Sequence, residues 1–283
     1  MKKFFIGDKV SNKLSEKFLW ECGNPFFSKK DFLILFFLLL SVACKEKSQP
    51  NLSPIKVAQP ANSSSASPTS NPSELPEGFP NPPGNLLANP GFENGRDGWK
   101  WMDWSQHWVD FDIREGKAHS GKKSAYLKLD YGDDAPKVRI HGLVQELKPS
   151  RFPDVIRGWY RVENWKRGSN LQYLQFVTIV WGGHPQFKNY QIRYILAGIN
   201  SPPYDMRNVK YIILPDATLN PTQNKWIEFK ASMIKDFEKL WGIIPRGYDK
   251  IVFLFEARYD AGVTKGMRVR ADVYFDDIYV GSE

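Results

Sequence analysis

Asn85-Leu86-Leu87-Ala88-Asn89-Pro90-Gly91-Phe92-Glu93-Asn94-Gly95, with Gly98-Trp99 just behind, and Ala271-Asp272-Val273-Tyr274-Phe275-Asp276-Asp277-Ile278-Tyr279-Val280 bound the region whose reading decides the fold. Between them the chain carries strand signals. Val109-Asp110-Phe111-Asp112-Ile113 alternates apolar and polar residues, as a half-buried strand does, and Ala125, Leu127 and Leu129 repeat the pattern. Further strands are expected at 155–162, 171–181, 190–197, 209–214, 226–231, 251–259 and 271–280. Turn formers such as Gly182-Gly183, Ser201-Pro202-Pro203 and Asn220-Pro221 separate them. Only residues 234–241 suggest a short helix. Nine or ten short strands without long helices between them predict an all-β sandwich or barrel. The 14% of aromatic residues agrees, because flat rings pack well on a half-buried pleated surface.

These two ends resemble the xylan- and glucan-binding modules of the galactose-binding-domain-like jelly-roll class. In that family an N-P-G-F-E segment opens the first strand and an aromatic-D-D-apolar segment forms the last. Ser120-Gly121-Lys122-Lys123-Ser124-Ala125 resembles the family's small-residue turn, and Val144-Gln145-Glu146-Leu147 and Trp226-Ile227-Glu228-Phe229 fall in order. The resemblance covers residues 85–283 and implies a jelly-roll β-sandwich. It also implies a structural calcium ion held by Glu93 and Asp276, with carbonyls of the 120–123 turn completing the oxygen shell. The alternative is that Asp276 and Asp277 face solvent or pair with a neighbouring Arg or Lys.

Sugar binding needs rings to stack on C–H faces and planar polar groups to reach hydroxyls. Alternation around Trp159 puts Arg157, Trp159 and Arg161 on one face, and Ile156, Gly158, Tyr160 and Val162 on the other. Gln191 with Arg193, and Glu256 with Arg258, are placed in the same way on their strands. Trp181, beside Gly182-Gly183, is expected at the rim. Together these residues predict one binding face for a carbohydrate. A solvated face with snorkelling stems is the plainer alternative for any one of them. Trp99, Trp101, Trp104 and Trp108 crowd ten residues; Trp99 is expected in the core, the others in the core or at the rim of a cleft.

Upstream lie two zones of different composition. Lys29-Lys30-Asp31, the apolar run 32–40 and Ser41-Val42-Ala43-Cys44 form a secretory signal too short to span a bilayer. It resembles the lipobox of bacterial lipoproteins, with Ser41 at the position where leucine is common. The resemblance implies acylation of Cys44 and attachment to the cell envelope, at the outer membrane or cell surface. Residues 45–84 carry nine prolines and eight serines, a composition unable to bury enough apolar surface to fold. They are expected to be a tether reaching on the order of 100 Å when extended. The expected organisation is therefore signal 1–44, linker 45–84 and sandwich 85–283.

The formal net charge of +8 is unevenly spread: residues 1–44 hold seven Lys against four acids, and no Lys/Arg cluster marks a nucleic-acid surface. Both cysteines, Cys22 and Cys44, precede the sandwich, so it folds without a disulfide. His107, His119, His141 and His184 lack metal-ligand spacing, and there is no G-x-S-x-G and no P-loop. The expectation is a non-catalytic carbohydrate-binding lipoprotein. A lipoprotein of the same fold that binds an envelope or host protein, and a polysaccharide-cleaving enzyme, are the alternatives.

Overall fold

Residues 251–255 are apolar without a break, as in a strand buried on both faces, and one sheet is assembled around it. The computed structural model describes residues 81–103 and 105–283. In it Ile251, Phe253, Phe255, Ala257 and Tyr259 enter the main core, while Val252 and Leu254 join a separate apolar cluster on the opposite face. The strands in chain order are β1 (Trp108–Val109), β2 (Asp112–Glu115), β3 (Lys123–Tyr131), β4 (Arg139–Leu147), β5 (Val155–Lys166) and β6 (Gln172–Gly182). There follow β7 (Asn189–Ala197), β8 (Val209–Ile213), β9 (Trp226–Ser232), a helix α1 (Met233–Trp241), β10 (Tyr248–Tyr259) and β11 (Val269–Gly281).

The strands form a six-stranded sheet, β1-β4-β10-β6-β7-β8, and a five-stranded sheet, β2-β3-β11-β5-β9. Only β1–β4 and β7–β8 pair in parallel; every other pair is antiparallel. The two sheets pack face to face as a β-sandwich of jelly-roll type. Rings join them: Phe255 meets Phe275 at 5.4 Å, and Phe176 meets Phe229 at 5.0 Å. Such contacts add to the area buried, which dominates the stability of a core of this kind.

One expected strand is divided. Residues 109–113 do not form a single strand: β1 lies in the six-stranded sheet and β2 in the five-stranded one. The chain crosses between sheets at Asp110-Phe111, with Phe111 buried in the core. Alternation records which side of a ribbon is apolar and is blind to a change of sheet. Strand β4 was legible only in its last four residues. The short helix stands where expected; its amphipathic face buries Met233 and Phe237, and Gly242 ends it at φ 69°. That left-handed conformation suits glycine, and its N–H bonds Glu238 O.

The first described residues are already fastened to the last strand. Leu86 N–H donates to Val280 O, the Asn85 side chain donates to Ile278 O, and Val280 N–H returns a bond to Asn85 Oδ1. Asn81, in the zone that composition assigns to the linker, donates to Leu87 O. Cys44 lies outside the described residues.

Candidate functional site

The outer face of the six-stranded sheet carries a buried polar network. It follows from register. Glu256 on β10 lies opposite Gln175 on β6 and Gly142 on β4, Arg258 lies opposite Tyr173, and Val177 lies opposite Arg193 on β7. All point away from the core because they share a parity with Val252 and Leu254, or with Ile179 and Trp181. Glu256 and Arg258 are 3% and 7% exposed. Arg258 donates to Glu256 at 3.0 Å and to Asp260 at 2.6 Å, and Gln175 donates to Glu256 at 2.6 Å. Buried charges of this kind require such partners. Tyr173 donates to Asp260 at 2.5 Å, and burial pushes its phenol well above the ordinary tyrosine range, so it is the neutral donor.

Arg193 extends the network toward β8. Its guanidinium bonds Gln191 Oε1, Tyr204 Oη and Tyr211 Oη, and sits 5.6 and 5.7 Å above the last two rings. Apolar patches flank the polar seam on both sides. One gathers Val144, Val177, Val252 and Leu254 beneath Met102, Trp108, Ile179 and Trp181. The other gathers Tyr173, Ile195 and Ile199 with Tyr211 and Ile213. Lys250 stands over the Trp181 ring at 5.8 Å. The buried Gln175 Oε1 has no hydrogen-bond partner among the described residues, which costs about 1–3 kcal/mol.

Trp181, Gln191, Arg193, Glu256 and Arg258 therefore share one face. Arg157, Trp159 and Arg161 do not share it. They lie on β5, in the five-stranded sheet, and the expectation of a single face joining both sets is corrected by the sheet assignment. On that sheet Trp159 is half-buried and its ring is covered by His119, stacked at 3.9 Å, with Trp226 edge-on to the same imidazole. Arg161 is engaged by Glu163 at 2.7 Å, which also binds Lys117. Arg157 lies over the Tyr279 ring. Tyr173, Gln175, Asp260, Tyr204 and Tyr211 went unnoticed in the sequence. The first three follow by extending the parity of Trp181 and of Arg258; Tyr204, in a loop, left no signal. Of the tryptophan cluster, Trp99 packs in the core against Phe92 and Phe255, while Trp101 and Trp108 are half-buried. Trp104 lies outside the described residues.

Glu93 and Asp276 grip opposite ends of one turn. Glu93 Oε1 accepts the N–H groups of Lys122 and Lys123 at 2.8 and 2.9 Å. Asp276 Oδ2 accepts those of His119 and Ser120, and its Oδ1 accepts that of Asp277. Asp277 binds Ser120 Oγ and His119 Nδ1, both at 2.6 Å. Asp276 is fully buried, so it does not face solvent, and its hydrogen-bond partners among the described residues are backbone amides and not a basic side chain. Burial, and then the neighbouring Asp277, push its carboxyl up to about 8. In charge and in oxygen chemistry this corner suits a calcium ion. Among the described residues no three His, Cys, Asp or Glu side chains gather for a metal, so backbone carbonyls would have to complete the shell.

No family model and no curated protein matches the chain. Solved structures of similar form include a family 61 carbohydrate-binding module in complex with β-1,4-galactotriose (TM-score 0.39, 14% identity, 70% of this chain and 99% of that one). Another is the CBM22-1 xylan-binding domain of Paenibacillus barcinonensis Xyn10C (TM-score 0.38, 15% identity, 70% and 94%). A third is the enzymatically active domain of tailspike protein 4 of bacteriophage CBA120 (TM-score 0.39, 10% identity, 70% and 21%).

Proposed function

We propose that the chain is a non-catalytic binding lipoprotein of the cell envelope that holds a carbohydrate on the outer face of its six-stranded sheet. The observation that carries this reading is the seam itself: Arg193, half-buried beside Gln191 and Tyr204, set between patches bearing Trp181 and Tyr211. Aromatic rings offer flat faces to sugar C–H groups, and the fixed polar groups match hydroxyls. The network is also poorly suited to hydrolysis. Cleavage by paired carboxylates needs one of them free to act as an acid, whereas Glu256 and Asp260 are both held by Arg258.

The test is a glycan array probed with the protein, followed by titration of the best glycan against variants. Arg193→Ala and Trp181→Ala should each weaken binding more than about tenfold if they are hot spots. Retention of no glycan, or unchanged affinity in both variants, would sink the reading. Attachment through acylated Cys44 is tested separately, by metabolic labelling with a palmitate analogue; a label that survives Cys44→Ala ends that part of the proposal. A structural calcium ion between Glu93, Asp276 and the 119–123 turn completes the proposal, supported by a buried carboxylate without a basic partner.

A further inference from the structure

At the end of the sandwich where the chain enters lies a cavity of about 750 Å³. Its walls come from the segment before β5, the segment before β10, and α1. Lys148, Arg151 and Arg246 stand around it, while Phe152, Ile234 and Ile244 belong to its apolar lining. Among the described residues, no acidic side chain lines it. All three cations are exposed, and none forms an ion pair or side-chain hydrogen bond with a described residue.

The cavity's position adds a second observation. Asp154 N–H donates to Gly281 O, and Met233 N–H donates to Asp154 O, which ties the cavity walls to the tip of β11. Residues 85 and 86 are bonded to the same tip, so the described chain enters the sandwich at this end. Three exposed cations around a largely apolar lining match an anion with an apolar body attached.

We propose that this end of the sandwich docks the phosphate headgroups of an anionic phospholipid surface, with the start of the acyl region against Phe152, Ile234 and Ile244. The surface would hold the sandwich with its chain entry toward the membrane. This goes beyond the carbohydrate reading and does not depend on it, nor on Cys44.

The test uses residues 72–283, a compact unit that contains the whole core from Leu87 to Val280 and lacks the apolar run and Cys44. It should sediment with phosphatidylcholine vesicles that contain phosphatidylglycerol, only weakly with phosphatidylcholine alone, and less as salt rises. A basic residue near an anionic surface contributes on the order of a fivefold gain. The triple variant Lys148→Ala, Arg151→Ala, Arg246→Ala should therefore partition at least about tenfold less, with an unchanged melting temperature because all three are exposed. A control triple of exposed lysines elsewhere, Lys128→Ala, Lys137→Ala, Lys265→Ala, should lose far less. Equal binding to neutral vesicles, no sedimentation with either, an equal loss in the control, or displacement by a soluble uronate oligosaccharide would each overturn the proposal.

Discussion

Asp276 is the residue whose chemistry is most exposed to measurement. Its carboxyl rises from the usual value near 3.8 to about 8 through burial and the charge of Asp277. A group that binds its proton more tightly when folded favours the folded state at low pH and loses that advantage as pH rises. Stability should thus decline between about pH 4 and pH 8, and Asp276→Asn should flatten that decline. His141 acts oppositely: burial lowers its imidazole to about 4, so its contribution weakens as pH falls below the ordinary histidine range. Comparing wild type with the Asp276 variant separates the two. Calcium would hold Asp276 ionised, so millimolar Ca²⁺ should raise the melting temperature most near pH 8, and a chelator should reverse it. Melts identical with and without the ion, after verified metal removal, would eliminate calcium. Trp159 carries a second prediction. Its ring is covered by His119 on the sheet opposite the proposed site, so Trp159→Ala should lower stability by about 0.5–1.5 kcal/mol for the lost ring pair, plus the apolar area exposed. Glycan affinity should be unchanged; a matching loss of affinity would move the site to the five-stranded sheet.

Among the elements, β6 shows what a sequence discloses and what it withholds. Its boundaries were legible, because Val, Ile and aromatic residues in a run bounded by turns permit little else. Its neighbours were not. Parity states which residues share a face of one strand, but not which sheet the strand joins, and so it does not distinguish β5 and β7 as parts of two surfaces. Only cross-strand register separates them, and register rests on contacts distant in sequence. Glycines mark where that register is tight. Gly198, just past β7, has φ 97°, and a Cβ there would stand 2.2 Å from Gln172 O and 2.6 Å from Tyr173 Cα. Gly198→Ala should therefore destabilise by more than about 1 kcal/mol, and it should loosen the adjoining Tyr173–Asp260 bond. A denaturant titration with an unchanged midpoint would show that β7 and β6 can part without penalty.

Across the whole molecule, the core and the seam should respond differently to damage. Phe255 touches rings from both sheets, and Phe255→Ala should cost about 3–5 kcal/mol and lower every probe of folding together. Arg193→Ala, on the outer face, should leave the melt nearly in place and alter only what the surface holds. Early unfolding of the Arg193 variant would mean that the seam is a structural device. The joining of first and last strands also has a topological consequence. Gly84 O lies against Gly281, and Leu86 is hydrogen-bonded to Val280, so entrance and exit share one corner. A body closed in this way takes up no more of a host chain than a loop does. Spliced between two strands of another protein, it would leave the host's frame unstretched. Its gene could equally be cut at the 262–266 turn and rejoined across the old ends, and the rearranged chain would fold to the same sandwich.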